Sequence, residues 1–120
     1  MEFYDSRPIY LQIADHIIRQ ILSHKLSAGD RLSSVREMAA EIEVNPNTIV
    51  KTYSWLADQE IIKMQRGIGY FILDSAHQHA VELTKKELLH TDLPKIIQKA
   101  SLLNISIEEL IKKYIHEEAK

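Results

Sequence analysis

The sequence predicts a mainly α-helical chain with one small β-hairpin: a compact N-terminal domain over residues 1–73 and a two-helix tail over 74–120. Three observations lead there. Isoleucine recurs every four residues from Ile9 through Ile13 and Ile17 to Ile21; Val44-Asn45-Pro46-Asn47-Thr48 joins two short apolar-periodic stretches; and Arg66-Gly67-Ile68-Gly69 separates two runs of strand-forming residues. An apolar side chain every three or four positions marks one face of a helix, whereas short β-branched and aromatic runs around a glycine turn mark a hairpin.

Pro8-Ile9-Tyr10-Leu11-Gln12-Ile13 opens the first helix, with Ser6 as its candidate cap and Pro8 in the first turn, where a missing N–H needs no partner. Tyr10, Ala14, Ile18 and Leu22 broaden the isoleucine stripe, so this helix is a scaffold. Lys25 to Asp30 is a polar connection in which Gly29 permits a sharp turn. Ser34 and Glu37 then form a capping box, with Val35, Met38, Ala39 and Ile42 as the inward face of a short second helix. Glu43-Val44-Asn45 makes a tight turn, Asn45 caps the third helix, and Pro46 takes its first position. That helix runs from about Pro46 to Gln59, with Ile49, Tyr53, Leu56 and Ala57 apolar and Val50 and Trp55 flanking. Ile61 to Gln65 and Tyr70 to Leu73 read as strands around the glycine turn. Helix, turn, helix and hairpin in this order is the layout of a winged helix-turn-helix, which places its second motif helix in a DNA major groove.

From Asp74 the period is helical again, through Ala80, Leu83, Glu87 and Leu88 or Leu89, until Thr91-Asp92-Leu93-Pro94 interrupts it. One kinked helix and two helices fit this pattern equally. Ile96, Ile97, Ala100 and Leu103 continue an apolar stripe to Asn104, a helix stop, and Ser106 with Glu109 forms a second capping box before Leu110, Ile111, Tyr114 and Ile115. A helical pair of this size offers more apolar surface than it can bury on itself, so it is expected to pack on the first domain or on a second copy of the chain.

Composition excludes much else. No cysteine is present, which removes disulfides, thiol catalysis and cysteine-based zinc sites. His77-Gln78-His79 with His90 lacks the spacing of a metal site, Gly67-Ile68-Gly69 lacks the context of a nucleotide fingerprint, and no nucleophile with a base or paired acids is recognisable. Neither metal, cofactor nor enzymatic activity is expected. The start Met1-Glu2-Phe3-Tyr4-Asp5 lacks the order of a secretory signal, and no apolar run has the length of a membrane span, so a cytoplasmic location is expected. The net charge of −2 argues against a nucleic-acid partner, since phosphate neutralisation supplies most nonspecific affinity.

Pro8-Ile9-Tyr10-Leu11-Gln12-Ile13, Ala28-Gly29-Asp30-Arg31-Leu32, Ser34-Val35-Arg36-Glu37-Met38-Ala39, Val44-Asn45-Pro46-Asn47-Thr48 and Arg66-Gly67-Ile68-Gly69-Tyr70-Phe71 together resemble the winged-helix domain of GntR-family bacterial transcription regulators. The resemblance covers about the first 73 residues. Asn-Pro-Asn-Thr and the short tail are similar to the YtrA subfamily, which implies a tail used for dimerisation and too small to be a metabolite-sensing domain. Ser33 stands where the family usually has proline, Glu60 where glycine is common, and Pro46 and Val50 where other subfamilies often carry arginine.

The resemblance implies a sequence-specific regulator, expected as a repressor, that binds an inverted-repeat operator in double-stranded DNA as a homodimer, with regulation of its own operon and an ABC-type transporter as the associated pathway. Arg36 corresponds to the family arginine that meets DNA. Asn47, Thr48, Lys51 and Thr52 are expected to face base edges and phosphates from the third helix, and Arg66 with the Gly67 backbone to reach DNA from the wing. Arg31, Ser34 and Asn45 complete the set, Asn45 mainly as a cap. Residues 1–73 hold eight Lys or Arg against nine Asp or Glu, so the case rests on Arg31, Arg36, Lys51 and Arg66 converging on one face. Leu83, Ile96, Ile97, Ala100, Leu103, Leu110, Ile111 and Tyr114 are the expected dimerisation residues. Two competing readings are a winged-helix module that binds a protein, and a regulator gated by a small molecule bound near the tail.

Overall fold

A computed structural model describes residues 1–4 and 6–119; Asp5, the last residue of the N-terminal stretch weighed as a signal, and Lys120 lie outside the described residues. The element order is α1 (Ile9–Leu22), α2 (Val35–Ile42), α3 (Pro46–Asp58), β1 (Ile62–Gln65), β2 (Gly69–Ile72), α4 (Ala76–Glu87), a π-helical segment (Leu88–Asp92), α5 (Leu93–Leu102) and α6 (Ile107–Glu118). Two compact units, Met1–Glu82 and Leu83–Lys120, divide within α4.

In the first unit α3 packs against α1, α2 and β1. Ile13, Ile17 and Ile21 of the expected scaffold stripe are buried together with Ile49, Tyr53 and Leu56 of α3, while Ile9 at the start of the stripe stays exposed. The beginning of α1 corrects the expectation. Pro8 is the N-cap residue rather than a first-turn residue, and its carbonyl accepts from the N–H groups of Leu11 and Gln12, both at 3.1 Å; no side chain caps this helix, so Ser6 has no such role. Gln12, which falls on the apolar stripe, is buried, and its amide accepts from the Tyr4 N–H and donates to the carbonyls of Tyr4 and Arg7 at 2.6 and 2.7 Å. A buried amide is tolerated because these bonds satisfy it, and they moor the N-terminal segment to α1.

Four helices end alike. After α1, α2, α3 and α5 the residues His24, Glu43, Glu60 and Asn104 adopt left-handed conformations with φ between 54° and 63°. The following N–H reaches back to the last turn in every case: Lys25 to Gln20, Val44 to Ala39, Ile61 to Leu56 and Ile105 to Ala100. This is the closure usually given to glycine, which alone adopts it without steric strain. Only Asn104 was expected among the four. At Glu60, where the resemblance expects glycine, the corner is formed with φ 59° by a residue with a side chain.

The hairpin is antiparallel with Ile62 opposite Ile72, Lys63 opposite Phe71, Met64 opposite Tyr70 and Gln65 opposite Gly69. It matches the expected strands to within a residue, and the N–H of Leu73 still pairs with the carbonyl of Ile61 beyond the ladder. The connection into α2 lies along the other edge of β2: Gly29 donates to Ile72, Ile72 to Asp30 and Leu32 to Tyr70, all at 2.8–2.9 Å, and Arg31 bridges Phe71. The wing is thereby tied to the start of the helix-turn-helix.

In the second unit the interruption before Pro94 resolves as neither a plain kink nor a break. Glu87, Asp92 and Leu93 all keep right-handed helical angles, and the N–H of Leu93 bonds five residues back to Leu88. Proline clashes with the carbonyl four residues earlier, here that of His90, and lacks an N–H; a widened turn displaces the first problem and leaves the second without a broken α-helical bond. The cap of α6 is half of the expected box: the Ser106 hydroxyl accepts from the Glu109 N–H, with no return bond from the Glu109 carboxylate. Among the described residues no helix is long and apolar enough to cross a membrane.

Replacing Glu60 by glycine is expected to raise stability by about 0.5–1 kcal/mol, because the left-handed angle then carries no side-chain penalty. Urea unfolding of the two proteins checks it, with an upward shift of the midpoint as the expected result.

Candidate nucleic-acid interface

The face that α3 presents is set by what it buries. Ile49, Thr52, Tyr53 and Leu56 are buried, which turns Asn47, Val50, Lys51 and Ser54 outward at the three- and four-residue spacing of a single stripe. Thr48 is half-buried. Thr52 is a correction: it is 0% exposed, and its hydroxyl donates to the carbonyl of Tyr10 at 2.8 Å, with its own helix's Thr48 carbonyl at 3.0 Å. A side chain so placed in the α1–α3 seam has no surface for DNA. The signal was present in the spacing, since Thr52 lies three residues after Ile49 and four before Leu56, on the buried stripe. Ser54, unassigned in the sequence reading, and Val50, expected to flank the apolar face, take outward positions.

Asn45 accepts from the Asn47 N–H at 2.8 Å, which is the capping role expected for it, and Pro46 occupies the first helical turn. Tyr53 donates its phenol to the carbonyl of Ser33 at 2.6 Å and stacks edge-on against Tyr70, tying α3 to both the lead-in of α2 and the wing. Burial, followed by the charge of Glu41, pushes the Tyr53 phenol far above its ordinary range, so it remains a donor throughout the physiological range.

Two of the three carboxylates around α2, Glu37 and Glu41, are engaged, while Glu43 at its end is exposed. Ser34 accepts from the Glu37 N–H at 3.1 Å while Glu37 accepts from the Ser34 N–H at 3.0 Å, which completes the expected capping box. The Ser34 N–H first and the nearby Ser34 side chain second hold the Glu37 carboxyl below its ordinary range, with a smaller contribution from Arg31. Glu41 accepts from the Ser33 hydroxyl at 3.2 Å, so the serine that replaces the family proline ties down this lead-in by a side-chain bond. Arg31, Arg36, Lys51 and Arg66 are exposed and, among the described residues, form no ion pair. Arg31 lies along β2, where a methyl placed on Gly69 would stand 3.2 Å from its Nε; the absent side chain at Gly69 makes room for the guanidinium. Arg66 and Gly67 occupy the exposed wing turn, closed by the Ile68 N–H on the Gln65 carbonyl, with Gly67 at φ 79°.

Two of the three histidines weighed as a metal group, His77 and His79, make contacts within the first unit. His77 stacks on His24 with ring centroids 4.6 Å apart, and His79 Nδ1 lies 3.0 Å from the carbonyl oxygen of Glu60. Among the described residues no group of three or more His, Cys, Asp or Glu is placed to hold a metal ion.

A helix-turn-helix with an outward polar stripe, an attached wing and unpaired cations on both defines a DNA-binding transcriptional regulator of the winged helix-turn-helix class. Residues 9–72 match the family of bacterial regulatory proteins, gntR family, and the chain belongs to the GntR family. It is 40% identical over 110 residues to the HTH-type transcriptional regulator YhcF of Bacillus subtilis (strain 168), covering 92% of this chain and 89% of that protein. It is 36% identical over 105 residues to the HTH-type transcriptional repressor YtrA of the same organism, covering 88% and 80%. A solved GntR family transcriptional regulator from Listeria monocytogenes superposes with a TM-score of 0.77 at 35% identity, covering 95% of this chain and 98% of that one. The family and these relatives are regulators, not enzymes.

Two substitutions on adjacent residues of α3 should separate scaffold from surface. Thr52→Val should lower stability by about 1 kcal/mol in urea unfolding, because it removes the bond that joins α3 to the Tyr10 carbonyl of α1. Lys51→Ala should leave stability within about 0.5 kcal/mol and reduce the slope of log affinity against log salt by about one. Ser34→Ala should cost about 1 kcal/mol at neutral pH. A carboxyl depressed in the folded state stabilises above its unfolded range and loses that contribution as pH falls through its folded pKa. The difference between wild type and Glu37→Gln should therefore narrow below about pH 4, measured as urea midpoints across pH.

Proposed function

We propose that the chain is a homodimeric repressor that binds an inverted-repeat operator, each subunit inserting α3 into a major groove. Asn47, Thr48 and Lys51 would meet bases and phosphates there, Arg36 and Arg31 the flanking backbone, and Arg66 with the Gly67 N–H the groove beside the wing. Ser34 and Asn45 contribute through the caps they form. The observation that carries this reading is the allocation of charge: Glu41 and Glu37 on α2 accept from Ser33 and Ser34, Glu43 in the turn is exposed, and among the described residues the four cations form no ion pair. A guanidinium without an internal partner keeps its full capacity for bidentate phosphate or guanine contacts.

Dimerisation through the tail is supported by the apolar side chains left uncovered on the second unit. Ile96, Ile97, Leu102, Leu103, Ile111, Tyr114 and Ile115 are exposed, Leu102 by 85%. Leu83 and Leu110 are half-buried, and Ala100 is withdrawn from the expected dimer set because it is buried within its own chain at 3% exposure, in the last turn of α5. Two-fold pairing of the tails would cover the rest and would set two copies of α3 on half-sites about one helical turn apart, or a multiple of it. Repression is proposed by analogy with the relative named as a repressor; control of its own operon, one that encodes an ABC-type transporter, is proposed from the subfamily resemblance of the sequence alone.

Anisotropy titration of a labelled duplex from the promoter of the chain's own gene, against a scrambled duplex at two salt concentrations, tests this reading. Selective binding that weakens with salt is expected. Arg36→Ala and Arg66→Ala should each weaken operator binding by about 10-fold or more without changing the solution mass. Ile97→Asp with Tyr114→Asp should halve the mass in light scattering and weaken operator binding with it, since linked half-sites lose their effective concentration. Equal weak binding of both duplexes by a dimeric wild-type protein would count against the operator assignment.

A further inference from the structure

Val50 stands at the centre of the outward stripe of α3, three residues after Asn47 and four before Ser54, and it is 47% exposed. Its neighbours on that stripe are all polar. The apolar side chains of the helix that serve the core are elsewhere, with Ile49 and Leu56 each 0% exposed, so burial on folding does not explain a valine here. A helix built for solvent alone would gain from a straight-chain polar residue at this position, because a β-branched side chain loses rotamer freedom in a helix.

Valine carries no donor or acceptor, so it can neither hold a phosphate nor pair with the polar edge of a base. Within the major groove one feature rewards an apolar contact, the C5-methyl group, which thymine carries and 5-methylcytosine shares. The side chain is short and stiff, which suits contact with a fixed methyl rather than a search for partners. Asn47 and Lys51 flank it with hydrogen-bonding groups, so a methyl read by Val50 would lie beside positions read by polar contacts.

We propose that Val50 is a specificity-determining residue that reads the C5-methyl group of one pyrimidine in each half-site. This rests on the placement of α3 in the major groove. Burying one methyl is worth about 0.8 kcal/mol, which is about fourfold in affinity per half-site.

The test begins with selection of binding duplexes from a randomised library by the full-length protein. Each thymine of the selected half-site is then replaced singly by deoxyuridine, which removes the methyl and leaves the pairing edge unchanged. At one position the wild-type protein should lose about fourfold, while Val50→Ala, an exposed change to a better helix former, should show less than about 1.5-fold loss at the same position. Restoring a methyl there as 5-methylcytosine opposite guanine, compared with plain cytosine, identifies the source: recovery shows that the methyl alone is read, and no recovery shows that thymine is read as a whole base. Equal losses for wild type and Val50→Ala, or no sensitive thymine at all, would overturn the proposal while leaving DNA binding intact. Failure of the wild-type protein to select any sequence would overturn the placement of α3 and this inference with it.

Discussion

Two neighbouring hydroxyls hold α3 in place. Thr52 bonds the backbone of α1 and Tyr53 bonds the backbone ahead of α2, so the recognition helix is pinned from two directions by groups one residue apart. An apolar seam alone would tolerate a helix rotated by some tens of degrees, since hydrophobic contact is not directional. A buried hydrogen bond does not, because a displaced donor leaves a carbonyl unsatisfied. Which side chains reach solvent on the far side follows from this pair. The same phenol touches Tyr70 of the hairpin, so helix and wing share one reference point.

Charge is handled by allocation rather than by excess. The first 73 residues carry slightly more acid than base, yet two of the acids on α2, Glu37 and Glu41, work as a cap and a tie within the chain. Their negative charge is partly offset by the donors they accept from, the Ser34 N–H for Glu37 and the Ser33 hydroxyl for Glu41, while Arg31, Arg36, Lys51 and Arg66 remain exposed. Such a surface attracts DNA weakly at long range and depends on fitted contacts, which favours discrimination over nonspecific adhesion.

Much of this was legible in the sequence. The helix-turn-helix, its capping box, the Asn45 cap and the hairpin all follow from local rules in which a residue type acts on its own backbone, and these hold without knowledge of the tertiary fold. What was not legible depends on distant partners. Gln12 sits on an apolar stripe but is satisfied by residues that precede the helix; the spacing puts Thr52 on the buried stripe of α3, but its partner, the Tyr10 carbonyl of α1, lies 42 residues away. The left-handed closures at His24, Glu43 and Glu60 were invisible for another reason: with three glycines in the chain, the usual marker of a helix end is largely missing, and tertiary packing imposes the angle on residues that do not prefer it. Asn104 was found because asparagine itself tolerates that angle.

The π-helical segment ahead of Pro94 carries a consequence for how such a tail can vary. A turn closed by a bond five residues back holds one residue more than an α-helical turn, so side chains before and after it cannot be aligned by one continuous period. The surplus residue is tolerated because the proline needs the wider turn. Length and proline are thus linked: a lineage that replaced Pro94 would be free to drop one residue between Leu88 and Asp92 and recover a regular helix, whereas one that dropped the residue first would set the proline ring against a carbonyl. Relatives of this chain with a one-residue difference in the tail should be sorted by that proline.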